Sequence, residues 1–254
     1  MHPHAFRWDP KLAGWFNDHG SQDWMDEVVE TCCKAYEASL GRVCSVNRFG
    51  ARWFSSKAVP LLERLGIRYD LTGEPGQPEV EALEKEWPYT GTIAGTEGMP
   101  HRPYRPAVDD FRRPAPEQKE SLWLIPLSAA PNRSRAPVPR SNPVREPRRA
   151  TRALGRRVRH PIRWARPPVQ TLAMWRRWPS PAYFWQTAER LLRRTDPPYL
   201  AFAIRSDLPH RQPQRGNVEA ILEELLRRPL LSQMRFTTPE EGRLVMGHER
   251  VRTT

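Results

Sequence analysis

The stretch that decides the predicted fold is SSKAVPLLERLGIRYDLT, residues 55–72. Ser55 or Ser56 can cap a helix over the apolar positions that follow, and Gly66 is a natural end for that helix. The next residues, IRYDLT, have the β-branched and aromatic character of a short strand. A helix that passes directly into a strand is typical of folds built around a parallel sheet.

The rest of the chain predicts the same alternation of helices and strands. Apolar residues recur at helical spacing from Ser21 to Leu40, Gly41 follows as a stop, and RVCSVNRFG (42–50) has the character of a strand. The later predicted elements are strands in SLWLIPL (121–127), YLAFAIRSD (199–207) and MRFTTPEEG (234–242), and helices capped by Ser180 with Pro181, by Asn217, and by Thr238 with Glu241. We therefore predict an α/β fold in a single domain over residues 1–254.

Two segments interrupt this alternation. Residues 73–118 are rich in proline and glycine and are predicted to form a long loop excursion, a kind of segment that is often functional. Residues 131–167 hold twelve arginines and one acidic residue, Glu146, so they carry nearly all of the net charge of +12. This segment is predicted to be an Arg/Pro-rich insertion. The alternative is a patch that binds nucleic acid or an anionic polymer through salt-dependent contacts.

The cysteines and the hydropathy bear on location. Cys32, Cys33 and Cys44 are an odd number and lack a C-x-x-C spacing, so they are predicted to be reduced core residues of a cytoplasmic protein. No apolar run approaches the roughly 18 residues that a membrane-spanning helix needs, and no signal-peptide pattern opens the chain. We therefore predict no membrane partner, and the sequence leaves the oligomeric state open.

The chain opens with MHPHAFRW, which places His2 and His4 on alternate positions. Alternate residues of an extended segment share a face and lie about 7 Å apart at their Cα atoms, so both imidazoles can reach one divalent cation. Two ligands do not complete a site, because a catalytic metal usually takes three protein ligands and leaves a position open for water. Without further ligands, the pair also fits a solvated chain start.

Several stretches together resemble the divergent polysaccharide-deacetylase-like group of the glycoside hydrolase/deacetylase β/α-barrel superfamily. They are HPHAFRWDPKLAGWFNDHG, NRFGARWFSSKAVPLLERLGIRYDLTGEPG, GMPHRPYRPAVDDFRRP, LWLIPLS, PYLAFAIRSDL and RFTTPEEG, spread from residue 2 to about residue 246. The LLERLGIRYDLT step and the histidine-bearing start are the most specific of them. The resemblance implies a (β/α) barrel of parallel strands that holds a divalent metal, usually zinc, through an aspartate and two histidines.

The activity that the resemblance implies is metal-dependent hydrolysis of N-acetyl groups on a carbohydrate. Zinc lowers the pKa of its bound water and polarises the amide carbonyl, an aspartate acts as base, and a late histidine protonates the leaving amine. By this resemblance the metal ligands are His2 and His4, and Arg48 in NRFG is the arginine that orients the base. Asp207 or His210 stands in the place of the late acid.

The sequence departs from the family pattern at several motifs. The Asp-Asp pair that supplies the base and the third ligand would lie before His2, and the histidine spacing is H-x-H instead of H-x-x-x-H. We therefore expect an incomplete barrel without its first strands, owing to a mis-assigned start, a gene fragment or a genuine pseudoenzyme, and no deacetylase activity. Asp109 and Asp110 could replace the lost pair, but the arginines at 112 and 113 favour simple ion pairs.

Two other functions compete with this one. A non-catalytic protein of the same fold would bind an anionic glycan through Arg48, Arg105 and Trp53. A nucleic-acid-associated protein would act through residues 131–167. It ranks last because no recognised nucleic-acid module accompanies that segment.

Overall fold

The computed structural model of the chain describes residues 1–11, 13–81, 89–117, 122–131, 169–174, 178–194, 198–204 and 212–248. Five α-helices lie in these ranges: α1 (Gln22–Leu40), α2 (Ala58–Arg64), α3 (Pro181–Leu192), α4 (Gln212–Leu226) and α5 (Pro239–His248). The strands are β1 (Phe6–Asp9), β2 (Gly14–Asp18), β3 (Val46–Asn47), β4 (Tyr69–Asp70), β5 (Val80–Glu81), β6 (Tyr89–Thr90), β7 (Thr92–Ile93), β8 (Trp123–Leu124), β9 (Ala129–Pro131) and β10 (Val169–Thr171).

The strands form four small sheets instead of the predicted barrel. One sheet holds β1, β2 and β6, another holds β3, β4 and β8, and the pairs β5–β7 and β9–β10 form the other two. Only the β3-β4-β8 sheet is parallel throughout, because the other three each contain an antiparallel pair. The prediction of an incomplete (β/α) barrel with parallel strands is therefore wrong, and no barrel closes within the described ranges. Strands of two to five residues are too short to carry hydrogen bonds around a closed ring.

The first three residues of the chain extend the parallel sheet. The amino group of Met1 donates to the Val46 carbonyl at 2.7 Å, and the Arg48 N–H donates to the Met1 carbonyl at 3.1 Å. The Gly50 N–H then donates to the Pro3 carbonyl at 2.8 Å. This alternation is the hydrogen-bond pattern of a parallel ladder. The amino-terminal segment therefore lies beside β3 and runs in the same direction as β3, β4 and β8.

The predicted order of helix, strand, helix and strand over residues 21–72 is confirmed by α1, β3, α2 and β4. Gly41 ends α1 as predicted, with φ of 64°, and its N–H donates to the Glu37 carbonyl at 2.8 Å. In α2 the side chains of Val59, Leu61 and Leu62 are buried in the core. The apolar face of α2 thus fixes the connection between β3 and β4.

Two helix starts in the second half of the chain are also confirmed. Ser180 caps α3, since its Oγ accepts a hydrogen bond from the Tyr183 N–H at 3.1 Å, and Pro181 occupies the first position of the helix. Before α5, Thr238 Oγ1 accepts from the Glu241 N–H at 3.3 Å, while the Glu241 carboxylate accepts from the Thr238 N–H at 2.8 Å. This reciprocal pair is the predicted capping box.

Other predicted element boundaries are wrong. Neither candidate serine caps α2, which has no side-chain cap: Ser55 Oγ accepts from the Lys57 N–H and Ser56 Oγ from the Phe111 N–H. The helix predicted to start at Asn217 begins at Gln212, and the Asn217 amide donates to the Met174 carbonyl instead of capping the helix. In the described part of 199–207 only an isolated bridge forms, and 234–236 forms no strand.

Two hydrophobic clusters form the interior. The first lies within residues 5–124 and includes Phe49, Trp53 and Leu62, and the second lies within residues 172–225 and includes Trp185. The predicted loop excursion 73–118 contributes Met99, Tyr104 and Phe111 to the first cluster, and it contains β5, β6 and β7. Polar contacts cross between the clusters, as described below. None of the helices in the described ranges is long and apolar enough to cross a membrane.

Candidate functional site

Polar side chains gather where β3 and β4 end. Asn47 and Asp70 are the last residues of these strands, lie opposite each other in register, and are both fully buried. Thr72 and Glu74 follow β4 and are also buried. Buried polar groups are costly unless they are hydrogen-bonded, and their concentration at one edge of a parallel sheet is typical of functional sites. These residues and Arg48 define what we call the polar cluster.

Asp70 lies at the base of the polar cluster. Its carboxylate accepts hydrogen bonds from Asn47 Nδ2 at 2.6 Å and from the Thr72 N–H at 2.8 Å. Burial raises the pKa of Asp70 to about 6, although the hydrogen bonds from Thr72 and Asn47 and the charge of Arg48 act in the opposite direction. Asp70 is therefore a carboxyl group that changes protonation in the physiological range without direct access to solvent.

Arg48 connects the polar cluster to the surface. Its Nη2 lies 3.6 Å from Glu74 Oε1, and its Nη1 donates to the Leu71 carbonyl at 3.4 Å. The Arg48 side chain is 26% exposed, whereas the Glu74 side chain is 5% exposed. The other carboxylate oxygen of Glu74 accepts a hydrogen bond from Thr171 Oγ1 at 2.8 Å. Thr171 directly precedes Leu172 of the second hydrophobic cluster. Buried acceptors thus hold a guanidinium that still reaches solvent.

The two amino-terminal histidines lie beside Arg48. His2 Nδ1 is 2.6 Å from the Arg48 carbonyl oxygen, and the His2 and His4 ring centroids are 4.8 Å apart. The His4 ring stacks on Phe6 at 5.2 Å and lies so close to Gly50 that a Cβ atom there would be 2.2 Å from His4 Nδ1. Since the first residues pair with β3, the structure brings together three residues that the sequence singled out: His2, His4 and Arg48.

A third histidine, His19, follows β2 and lies close to His4. It is 6% exposed, and its backbone N–H donates to the Thr90 carbonyl at 3.0 Å. Burial and the charge of His4 lower the pKa of His19 to about 4, although Asp18 acts in the opposite direction. His19 is therefore neutral at physiological pH.

His19 also lines an open cleft of about 990 Å³. Trp53 lines the same cleft, together with Lys57, Asp110 and Phe111. Trp53 is 4% exposed and packs edge-to-face on Phe49 at 5.0 Å, so most of its surface belongs to the core. A substrate could reach only the small exposed part of the indole.

The remaining predicted site residues are not brought to this cluster. The Arg105 guanidinium lies 5.1 Å from the centre of the Trp123 ring and close to Arg243 of α5. Asp207 and His210 lie outside the described residues, as does the arginine-rich segment beyond Pro131. Asp110 and Asp109 form the ion pairs that the sequence predicts, with Arg112 at 2.8 Å and with Arg113.

The described residues do not fit a zinc centre. They contain no group of three His, Cys, Asp or Glu side chains arranged to hold a metal ion. His2 and His4 supply two imidazoles, but the nearby carboxylates already have protein partners: Asp70 binds Asn47, and Glu74 binds Arg48 and Thr171. The arrangement offers a ligand the donors of the Arg48 guanidinium, whereas the Nδ1–H of His2 already donates to the Arg48 carbonyl.

Sequence reasoning missed Asn47, Asp70 and Glu74. Their signal is positional, because polar residues that directly follow a buried strand of a parallel sheet lie at the edge where such folds bind ligands. In YDLTGE the aspartate ends the strand, and the glutamate follows four residues later. The strand itself was predicted, but the role of the residues at its end was not.

The chain was also compared with known proteins. No protein-family model matches it, and searches of curated proteins and of solved structures found no match.

Proposed function

We propose that the protein is a polysaccharide-deacetylase-like protein that binds an N-acetylated carbohydrate at the surface formed by His2, His4 and Arg48. The observation that supports this most is that these residues, assigned from sequence motifs 44 positions apart, meet at the carboxyl edge of a parallel sheet. The Arg48 guanidinium donates to the carbonyl and hydroxyl oxygens of the sugar, and the His2 and His4 rings contact it. Glu74 holds Arg48 in place from the buried side.

Binding without hydrolysis follows from the state of the carboxylates. A general base for deacetylation needs a carboxylate that can reach a water next to the substrate. In the polar cluster, Asp70 is fully buried and Glu74 is tied to Arg48 and Thr171. We therefore propose recognition of the acetylated sugar without release of acetate by this chain.

A binding experiment tests the role of Arg48. Calorimetric titration with an N-acetylglucosamine oligomer should give a Kd for the wild type that weakens by roughly 10- to 100-fold in Arg48→Ala, the usual effect of removing a charged hydrogen-bond donor. Arg64→Ala is the matched control, because Arg64 is 65% exposed on α2 and its removal changes the net charge equally. Arg48→Lys keeps the charge beside Glu74 but not the planar donor group, so it separates recognition from folding.

The outcomes are distinct. No binding by the wild type, or equal affinity in Arg48→Ala and Arg64→Ala, contradicts the proposal. Tighter binding of an oligomer of uronic acids than of the N-acetylated one favours the anionic-glycan alternative. Release of acetate from the N-acetylated oligomer in the presence of zinc contradicts the absence of hydrolysis.

A cytoplasmic location belongs to the same proposal. All three cysteines are free thiols, and burial raises the pKa of Cys33 to about 11. Unreactive, reduced thiols are typical of proteins in a reducing compartment.

A further inference from the structure

Three sulfur-bearing side chains meet where the amino-terminal segment contacts α1. The Cys33 Sγ atom of α1 lies 3.6 Å from Met1 Sδ, and the Met1 amino group lies 3.5 Å from Cys44 Sγ. The Cys44 thiol also donates to the Val46 carbonyl at 3.2 Å, so it is held just before β3. Met1, Cys33 and Cys44 define what we call the sulfur cluster.

The sulfur cluster lies at the edge of the first hydrophobic cluster. Cys44 is 3% exposed and belongs to that hydrophobic cluster, whereas Met1 and Cys33 are half-buried and pack against it. Burial raises the pKa of Cys33 to about 11, and among the neighbouring charges that of Cys44 contributes most. The two thiols are therefore near each other, with an apolar interior on one side and partial access to solvent on the other.

The donor atoms indicate which ion fits. The described residues contain no group of three His, Cys, Asp or Glu side chains that could hold a metal ion, so a site with three protein ligands here needs the Met1 thioether. Zinc in proteins is bound by thiolate, imidazole and carboxylate groups, whereas thiolate and thioether sulfurs together favour the softer Cu(I). Two sulfur atoms 3.6 Å apart can share one ion through metal–sulfur bonds of about 2.3 Å.

We infer that the sulfur cluster binds one Cu(I) ion, with Cys33 and Cys44 as thiolate ligands and the Met1 thioether as the third ligand. Binding forms two copper–thiolate bonds and releases the two thiol protons to solvent, while copper remains Cu(I) throughout. The inference is independent of the proposed function, because the sulfur cluster shares no residue with the surface formed by His2, His4 and Arg48.

The test is a competition for Cu(I) between the protein and the chelator bicinchoninate, in the absence of oxygen. We expect the wild type to retain one equivalent of Cu(I) and Cys33→Ser and Cys44→Ser to lose it. Cys32→Ser is the matched control, because Cys32 is an equally half-buried thiol at the adjacent position of α1 and lies outside the sulfur cluster. Circular dichroism of the metal-free variants establishes that they remain folded, and the half-buried position of Cys33 makes Cys33→Ser the milder change.

X-ray absorption at the copper edge identifies the ligand atoms. The wild type should show sulfur neighbours alone, and protein labelled with selenomethionine should show a copper–selenium distance in addition. Thermal unfolding gives a second readout, since an ion that binds only the native state raises the Tm of the wild type and of Cys32→Ser but not that of Cys33→Ser.

Several results would overturn the inference. These are no Cu(I) retained by the wild type against the chelator, equal retention by Cys33→Ser and Cys32→Ser, or loss of the ion in His2→Ala with retention in Cys33→Ser. Retention of zinc but not of Cu(I) contradicts the choice of ion, and a missing copper–selenium distance contradicts the role of Met1. None of these results affects the proposed function, which the sugar titration of Arg48→Ala tests separately.

Discussion

Asp70 and His19 make opposite contributions to the pH dependence of stability, and single substitutions should expose both. Asp70 has its pKa raised to about 6 by burial, so between pH 4 and 6 the native state binds the proton and the unfolded state does not. Stability from this group therefore falls as pH rises through that window. His19 has its pKa lowered to about 4 by burial and by the charge of His4, so between pH 4 and 6.5 the unfolded state binds more protons. Stability from this group rises with pH.

The two contributions are similar in size. Each pKa differs by roughly two units between the folded and unfolded states, which corresponds to roughly 3 kcal/mol of unfolding free energy. Over pH 4 to 6 they nearly cancel in the wild type. In Asp70→Asn only the histidine contribution remains, so the unfolding free energy should rise by roughly 3 kcal/mol between pH 4 and 6.5. In His19→Asn it should fall by a similar amount over pH 4 to 6.

Urea denaturation at half-unit steps from pH 4 to 7 measures these slopes. Exposed carboxylates contribute equally to all three proteins, so the difference between each variant and the wild type isolates one group. Asparagine at position 70 still accepts from the Thr72 N–H. Rotation of the Asn47 amide would present its Oδ1, a buried acceptor with no hydrogen-bond partner in the described structure, to the new amide. Parallel curves for Asp70→Asn, His19→Asn and the wild type would refute the reasoning.

Three further predictions concern stability and can be checked by denaturant unfolding. Gly50→Ala should lower the free energy of unfolding by about 1–3 kcal/mol, because its Cβ would lie 2.2 Å from His4 Nδ1 and the ring must move by roughly 1 Å. Removing the His4 ring as well should restore most of that loss. Gly216→Ala should stabilise by about 0.5–1 kcal/mol, since it lies within α4 and, apart from the adjacent helix backbone, no atom lies within 4 Å of the new Cβ. Ser180→Ala should cost about 1 kcal/mol through loss of the cap on Tyr183 N–H, and no change would show that the cap is not formed.

Local structure could be predicted from the sequence where one short segment carries its own signal. Gly41, Ser180 and the pair Thr238 and Glu241 stop or start helices through contacts with residues three or four positions away. The arrangement of the strands in separate small sheets could not be predicted in this way. Whether strands close into a barrel depends on their lengths and on pairing between distant segments. The β1–β2 hairpin shows the difference, since its antiparallel pairing redirects the chain immediately after the first parallel segment.

Three residues of the candidate site could be singled out from the sequence, and their role stays a prediction. His2, His4 and Arg48 were chosen because their residue types match motifs, and they are neighbours in the structure. Asp70 and Glu74 were missed because their importance lies in their surroundings: full burial, a shared edge of the sheet and contact with the guanidinium. Sequence spacing carries little information about such contacts, which join residues 23 or more positions apart.

Glu74 of the polar cluster and its neighbours Gly73 and Gln77 connect the first part of the chain to segments beyond residue 126. Glu74 accepts from Thr171 Oγ1 at 2.8 Å, Gln77 Nε2 donates to the Val169 carbonyl at 3.1 Å, and the Leu127 N–H donates to the Gly73 carbonyl at 2.8 Å. Apolar contact alone would join two halves with less cost, because each buried polar group must first lose its water. Glu74 therefore holds the Arg48 guanidinium with one carboxylate oxygen and, through Thr171, connects the two hydrophobic clusters with the other. Because hydrogen bonds are directional, these contacts fix the orientation of the Arg48 guanidinium at the candidate site.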